Sequence, residues 1–210
     1  MTKYLLFDLD NTLYSRRYGL EDNAKIRMQE FISGFLGIES EEVWHLRRTE
    51  GKKYGTSLEW IMTEKGFTDV DAYMAAIHPE DEADNLPPDP DLRAFLEGID
   101  IPKAILTNSP MEHARRIIDK LEFNGLFTHI FDIRQFDFKG KPHHRVYNYV
   151  LNVLGADAPQ VLFIDDYPQY TESFLSLGGR ALLLDENDFH KDYPRPKISQ
   201  LKELIGYLCH

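Results

Sequence analysis

Four short polar clusters, far apart in the chain, hold the residues best suited to chemistry. Asp8 and Asp10 stand in Phe-Asp-Leu-Asp-Asn-Thr. Thr107, Asn108 and Ser109 are consecutive, Lys141 precedes Pro142, and Asp165 and Asp166 are adjacent. Three or four carboxylates brought into a small space repel one another unless a cation neutralises them. Hard oxygen ligands with room for water select Mg2+. A hydroxyl, a lysine and backbone N–H groups at a helix N-terminus bind phosphate. A carboxylate can also be the nucleophile of phosphoryl transfer. Anion and metal sites needed together point to a phosphate ester. Taken singly, an Asp pair is more often a turn or a helix cap, so the weight rests on convergence.

Convergence requires elements that bring the clusters to one place. Short apolar runs at Tyr4–Phe7, Ala104–Leu106, Val161–Ile164 and Ala181–Leu184 have the character of buried parallel strands, and His129–Ile133 is a fifth candidate. Helical patterns follow most of them. Ser109-Pro110-Met111-Glu112 has the form of a capping box with proline at the first helical position. Lys141-Pro142 is expected to open a helix carrying Val146, Tyr149, Val150 and Val153. That proline favours Lys141 over Lys139 as the site lysine. His143 and His144 are expected to be ordinary helix residues pointing to different sides. Ser173–Leu177 should stop at Gly178-Gly179. Alternating strands and helices predict an α/β fold, a Rossmann-like doubly wound parallel sheet, with ligands bound beyond the carboxyl ends of the strands.

Between Tyr14 and Pro88 the alternation stops. Ala24, Met28, Phe31 and Phe35, widened by Ile32 and Leu36, mark one amphipathic helix. Val43–Arg48, Leu58–Glu64 and Val70–Ile77 predict three more. The acidic, proline-rich stretch from Glu80 to Pro88 suits a linker. Asp89 then caps the next helix, with Pro90 at its first position. The expected organisation is a core of residues 1–14 and 89–210 and an inserted helical cap, 15–88, hinged around Ser15–Gly19 and Asp84–Pro88. Arg16 and Arg17, at the first hinge, are read as solvated.

Bulk properties narrow the partners. The net charge of -11 argues against nucleic acid, whose backbone selects basic surfaces. No apolar run approaches the roughly 18 residues of a membrane helix, and the apolar stretch before Asp8 is too short for a signal-peptide core. With one cysteine, Cys209, neither a disulfide framework nor a cysteine metal site can form within the chain. A cytoplasmic protein acting on a small phosphorylated metabolite is expected.

Asp8-Leu9-Asp10-Asn11-Thr12 resembles the DxDxT signature of the haloacid dehalogenase (HAD) superfamily. Ile105–Ser109 is similar to its second motif, Lys141-Pro142 to its third and Phe163–Asp166 to its fourth, in that order along the chain. The resemblance implies a phosphatase that forms an aspartyl-phosphate on Asp8. It makes Asp10 the acid and base, its carbonyl touching Mg2+. Asp8 and Asp166 become direct metal ligands, and Asp165 acts through a metal-bound water. It assigns phosphoryl binding to Thr107 and the Asn108 backbone, and charge neutralisation to Lys141. Asp-Asn-Thr-Leu-Tyr, Tyr54-Gly55-Thr56-Ser57-Leu58 and His113-Ala114 after Thr-Asn-Ser resemble the pyrimidine 5′-nucleotidase branch. On that basis Tyr54 and Thr56 are the expected cap contacts to a pyrimidine nucleotide. A sugar-phosphate phosphatase or phosphomutase, and a non-catalytic phosphate-binding scaffold, are the alternatives; a C–Cl dehalogenase has no need of Asp10.

Overall fold

Unbroken apolar runs are buried on both faces, and each expected strand forms. The computed structural model describes residues 1–208, so Cys209 lies outside the described residues. Strands β1 (Tyr4–Phe7), β2 (Lys103–Leu106), β3 (His129–Phe131), β4 (Val161–Asp165), β5 (Arg180–Leu184) and β6 (Lys197–Ile198) build one parallel sheet in the order β3-β2-β1-β4-β5-β6. The chain winds from β1 towards β3, then returns to the other side of β1 through β4. The β1/β4 boundary is therefore the switch point where such sheets bind ligands. Phe7 pairs with both Ile105 and Ile164, so the carboxyl ends of the three central strands lie level.

Side chains alternate between two cores. Leu5, Phe7, Ile105, Leu162 and Ile164 pack on one face, against α5 (Pro90–Glu97) and α6 (Met111–Lys120). Leu6, Ala104, Leu106 and Phe163 pack on the other, with α7 (His144–Leu154) and α8 (Pro168–Ser176). β6 is two residues long, too short to leave a periodic signal.

After β1 the chain leaves the sheet for four helices, α1 (Leu20–Leu36), α2 (Ser40–Thr49), α3 (Ser57–Lys65) and α4 (Val70–Ile77). They share a core of their own, built on Ile32, Val43, Trp60, Ile61 and Tyr73 and joined from the sheet side by Ile133. Phe35 is two-fifths exposed, yet its ring meets Phe67 edge-on at 4.9 Å. The return stretch is not the solvated linker its composition suggests. Ala83 and Leu86 are buried in the sheet's core, and the Glu82 side chain is almost fully enclosed. Its charge is tolerated because cationic partners surround it. Arg16 and Arg17 form a short exposed turn, with Arg16 paired to Asp22 at 3.0 Å. Among the described residues, no helix is long and apolar enough to cross a membrane.

Candidate active site

All four clusters meet at the switch point. Asp8 follows β1 directly, Thr107 follows β2, and Asp165 ends β4. The Lys141 side chain enters from the loop before α7. Its Nζ donates to Asp8 Oδ1 at 2.6 Å and to Asp165 Oδ2 at 2.7 Å, with all three groups buried. Lys139 is exposed, and it is Lys141 that reaches the carboxylates, though not from a helix start. The Lys141-Pro142 peptide is cis and the helix begins only at His144. Lys141 is held by Asn108, whose Oδ1 accepts from Lys141 N at 2.7 Å while its Nδ2 donates to Lys141 O at 3.0 Å. Gly140 must be glycine, because a Cβ there would collide with the Asn108 amide.

Asp8, Asp165 and Asp166 place carboxylate oxygens within 4.8 Å of one another. Burial raises the pKa of Asp8 well above the carboxylate range; Lys141 opposes this, and the neighbouring aspartates add to it. Burial, then Asp165 and Glu21, push Asp166 up to about 7. One lysine does not neutralise this group. An all-oxygen donor set with surplus negative charge fits a hard divalent cation such as Mg2+. Asp165 spends Oδ2 on Lys141 and Oδ1 on the Tyr167 N–H at 2.8 Å, so its first task is to hold the lysine and the loop.

Asp10, beside this group, is bonded at both side-chain oxygens. Oδ1 accepts from Tyr14 Oη at 2.6 Å and lies 2.7 Å from His113 Nε2; Oδ2 accepts from Ser109 Oγ at 2.8 Å. Ser109 therefore serves Asp10 and does not cap α6. The first N–H of α6, Met111 N, goes instead to Asp132 Oδ2 at 3.1 Å. Behind His113, Nδ1 lies 2.7 Å from Glu82 Oε1, and Glu82 also meets Arg116, His78 and Arg27. Burial alone would lower the His113 pKa, but Asp10 and Glu82 overcome it and raise it to about 10. In turn, and against burial, His113 holds Asp10 well below its usual value; with His78 it holds Glu82 at about 2. A carboxylate–imidazolium–carboxylate chain thus runs from the return stretch to Asp10. Glu82, hidden in an acidic stretch, and His78 had no sequence signal; His113 had only its place after Thr-Asn-Ser.

Thr107 is buried, and its Oγ1 accepts from Ser109 N at 3.0 Å, leaving the hydroxyl hydrogen to donate. Among the described residues the Asn108 N–H has no partner. Both residues line a cavity of about 340 Å³ whose floor holds Asp8, Asp10, Lys141 and Asp166 and whose roof is made by α1, α3 and α4 with Arg47 of α2. Met28, Tyr73 and Met74 give that roof an apolar surface. Thr56 lines the cavity, but its hydroxyl caps α3 by accepting from Glu59 N at 3.1 Å. Tyr54 does not line this cavity. Its hydroxyl meets Glu64 on the outer side, because an extended backbone before the α3 cap turns neighbouring side chains to opposite faces. Gly55 is needed for close approach, since a Cβ would sit 2.8 Å from Lys141 O. His143 precedes α7 and lies 2.7 Å from buried Glu59, which also accepts from Gly55 N at 2.9 Å. It ties the roof to the lysine loop and is not an ordinary helix residue.

A parallel sheet with carboxylates, a lysine and a threonine at its switch point, under a helical roof, defines an α/β protein with one polar, oxygen-rich site. The chain belongs to the haloacid dehalogenase-like hydrolase family, whose model matches residues 2–169. It is 27% identical over 230 residues to phosphate metabolism protein 8 of Saccharomyces cerevisiae, spanning 97% of this chain and 70% of that protein. Its fold is shared with an HAD phosphatase from Thermococcus onnurineus (TM-score 0.66, 18% identity, 99% and 98% of the two chains). It is also shared with the HAD-hydrolase YfnB from Bacillus subtilis, described as bound to magnesium (TM-score 0.59, 17% identity, 100% and 99%).

Proposed function

We propose that this hydrolase is a Mg2+-dependent phosphomonoesterase acting through an aspartyl-phosphate on Asp8. Its substrate is a small phosphorylated metabolite, a nucleoside 5′-monophosphate with pyrimidines favoured. The observation that carries this is the buried Asp8–Lys141–Asp165 group opening into a cavity that Thr107 and Asp10 also line. Residues 15–88 serve as the cap, and residues 1–14 and 89–210 as the core.

Asp8, Asp166 and the Asp10 carbonyl would hold Mg2+, with Asp165 joining through water; bound there, the ion neutralises charge shared by carboxylates and phosphate. Asp8 Oδ attacks phosphorus as the P–O bond to the leaving group breaks. Thr107 Oγ1, the Asn108 N–H and Lys141 Nζ hold the phosphoryl oxygens as negative charge spreads over them. Asp10 passes a proton to the leaving oxygen. The proton on His113 Nε2, whose nitrogen lies 2.7 Å from Asp10 Oδ1, is the reserve for that transfer. Asp10 then takes a proton from the water that attacks the acyl phosphate, releasing inorganic phosphate and restoring Asp8. Tyr73, Met28 and Met74 exclude water above the leaving group. A cavity at the small end of the usual range for ligand sites, roughly 300–1,000 Å³, favours a one-ring base over a purine.

Phosphate release from UMP, CMP, AMP, GMP and sugar phosphates, with and without Mg2+, tests this reading. Metal-dependent hydrolysis led by UMP and CMP is expected. An isomerised sugar phosphate without released phosphate would replace it with a mutase, and no turnover of any ester would leave a scaffold.

A further inference from the structure

A second cavity opens beside the first, sharing with it the wall formed by Arg47, Thr56, Ser57 and Tyr167. Its charged lining is entirely cationic: Lys25, Arg47, Arg48 and Lys52, with no carboxylate. That is unexpected in a chain with 35 acidic residues against 24 basic ones. Two of these cations are already engaged. Lys25 pairs with Glu21 at 2.8 Å, and Arg48 lies over the Trp44 ring at 4.5 Å. Lys52 is exposed and solvated.

Arg47 differs from all three. It is half-buried where the two cavities meet, and its Nε donates to Ser57 Oγ at 2.9 Å. Among the described residues no carboxylate lies within ion-pairing distance of 4.0 Å, and its terminal amino groups have no protein partner. Burial pulls its pKa below the guanidinium range, and the ionisable groups that oppose this are Tyr73 and Tyr167, not an acid. A guanidinium withdrawn from water without a counter-ion is costly unless a ligand supplies the charge. Its planar fork matches carboxylate and phosphate oxygens. Arg47 stands on α2 in the roof, while Asp8 and Thr107 follow strands of the sheet and Lys141 lies in the loop before α7. Arg47 also lines the second cavity, which none of Asp8, Thr107, Lys141 and Asp166 lines, so it is placed to meet a part of the substrate beyond the scissile phosphate.

We infer that Arg47, supported by Ser57, binds a second oxyanion on the leaving group, so that the preferred substrates are phosphomonoesters carrying another carboxylate or phosphate. This rests on the phosphomonoesterase reading and extends it beyond simple nucleoside 5′-monophosphates, which carry no second oxyanion, to nucleotides with a phosphate besides the scissile one. The shared chemistry is the oxyanion, and two matched pairs separate its sources. Glycerol 3-phosphate against 3-phosphoglycerate adds a carboxylate; UMP against uridine 3′,5′-bisphosphate adds a phosphate.

The experiment measures kcat and KM for both pairs with the wild type, Arg47→Lys and Arg47→Met, following nucleoside products to fix which ester is cleaved. The wild type should favour the doubly anionic member of at least one pair by about tenfold or more, mainly through KM, as expected for one charge-assisted contact. Arg47→Met should bring that ratio close to one, and Arg47→Lys should keep part of it. Equal use of both members by the wild type, or an unchanged ratio in a folded Arg47→Met, overturns the subsite. If the wild type hydrolyses none of the four esters, the phosphatase reading itself fails. The subsite is then judged by calorimetric binding of the same pairs to the wild type, where equal affinity within each pair overturns it.

Discussion

The floor and the roof of the cavity handle charge in opposite ways. At the floor most ionisable side chains are answered by another, Lys141 by Asp8 and Asp165 and His113 by Asp10 and Glu82, and only Asp166 is left with acids for neighbours. These pairs sit on strand ends and short loops buried by the sheet, so their geometry is held before substrate arrives. In the roof, Arg47 has no acidic partner among the described residues, and Arg48 and Lys52 reach solvent. Its apolar contacts are spread over four helices. A surface whose charges are already paired suits chemistry common to many substrates, whereas one with an unpaired cation suits discrimination between them. Changes at the floor should therefore act on every substrate, and changes in the roof should act on ratios.

The largest break in that comparison is Asp8→Asn. It removes the nucleophile, and phosphate release should fall to background for every ester while circular dichroism shows the fold intact. Lys141→Ala should be nearly as damaging to turnover and worse for stability. Two buried carboxylates lose their shared cation, a loss of roughly 3–5 kcal/mol in denaturant unfolding without metal. A stable, active Lys141→Ala would mean that Asp8 and Asp165 are neutral in the native state.

Asp10→Asn comes next. It keeps the carbonyl but loses the titratable proton, so kcat should drop by a factor of roughly 10² or more, with Mg2+ affinity changed much less. Equal collapse of metal binding would show that the Asp10 side chain is a ligand. Glu82→Gln acts one step further away, through His113, and should lower kcat by roughly tenfold. The loss should be greatest for esters with poor leaving groups, since these need the proton most. The same chain sets a pH window. His113 rises from 6.5 to about 10 on folding, so its stabilisation is complete below pH 6.5 and lost as pH climbs through 10. Thermal unfolding of His113→Gln should therefore fall furthest below wild type near pH 6 and converge with it towards pH 10.

Metal sharpens the comparison more gently. Without it, Asp166 holds its proton up to about pH 7 in the folded chain, so its contribution to stability falls as pH rises from about 4 through 7. Added Mg2+ should raise the melting temperature more at pH 8 than at pH 5, because the ligand must be ionised to bind. A shift independent of pH would place the ion elsewhere. The smallest effects belong to the roof residues first expected to touch substrate. Thr56→Ala should cost about 1 kcal/mol through loss of the α3 cap. Tyr54→Phe should leave the UMP-to-AMP ratio unchanged, because its hydroxyl points to Glu64 outside the cavity. A changed ratio in Tyr54→Phe would restore it as a base contact.

Much of the floor was legible because strand ends announce themselves. An apolar run that stops at a polar residue marks both the strand and what stands beyond it, which is how Asp8, Thr107 and Asp165 were placed. The Lys141-Pro142 pair reads as a helix start, but the helix begins only at His144, and Lys141 is held between Asp8 and Asp165 by the Asn108 amide and a glycine at 140. The same local logic misplaced Ser109, and it set Tyr54 over the first cavity when the side chain lines the second. Ser109 had the form of a cap, yet a carboxylate from another strand end took its hydroxyl. Tyr54 had suitable chemistry, but its direction depended on where the backbone entered α3.

The sequence alone determined the α/β alternation, the helical insertion after the first strand, and the identity of the groups at the switch point. Each follows from patterns within one element, where periodicity reports which face is buried. Only the tertiary structure decided which charges neutralise one another. Glu82 in an acidic stretch and Arg47 on a polar helix have no local pattern to separate them from solvated neighbours. Their roles arise because residue 82 is enclosed by Arg27, His78, His113 and Arg116, while residue 47 is brought to a cavity wall with no acid in reach. Burial fixes the energetic weight of a charge, and burial of a polar residue depends on what the rest of the chain folds around it.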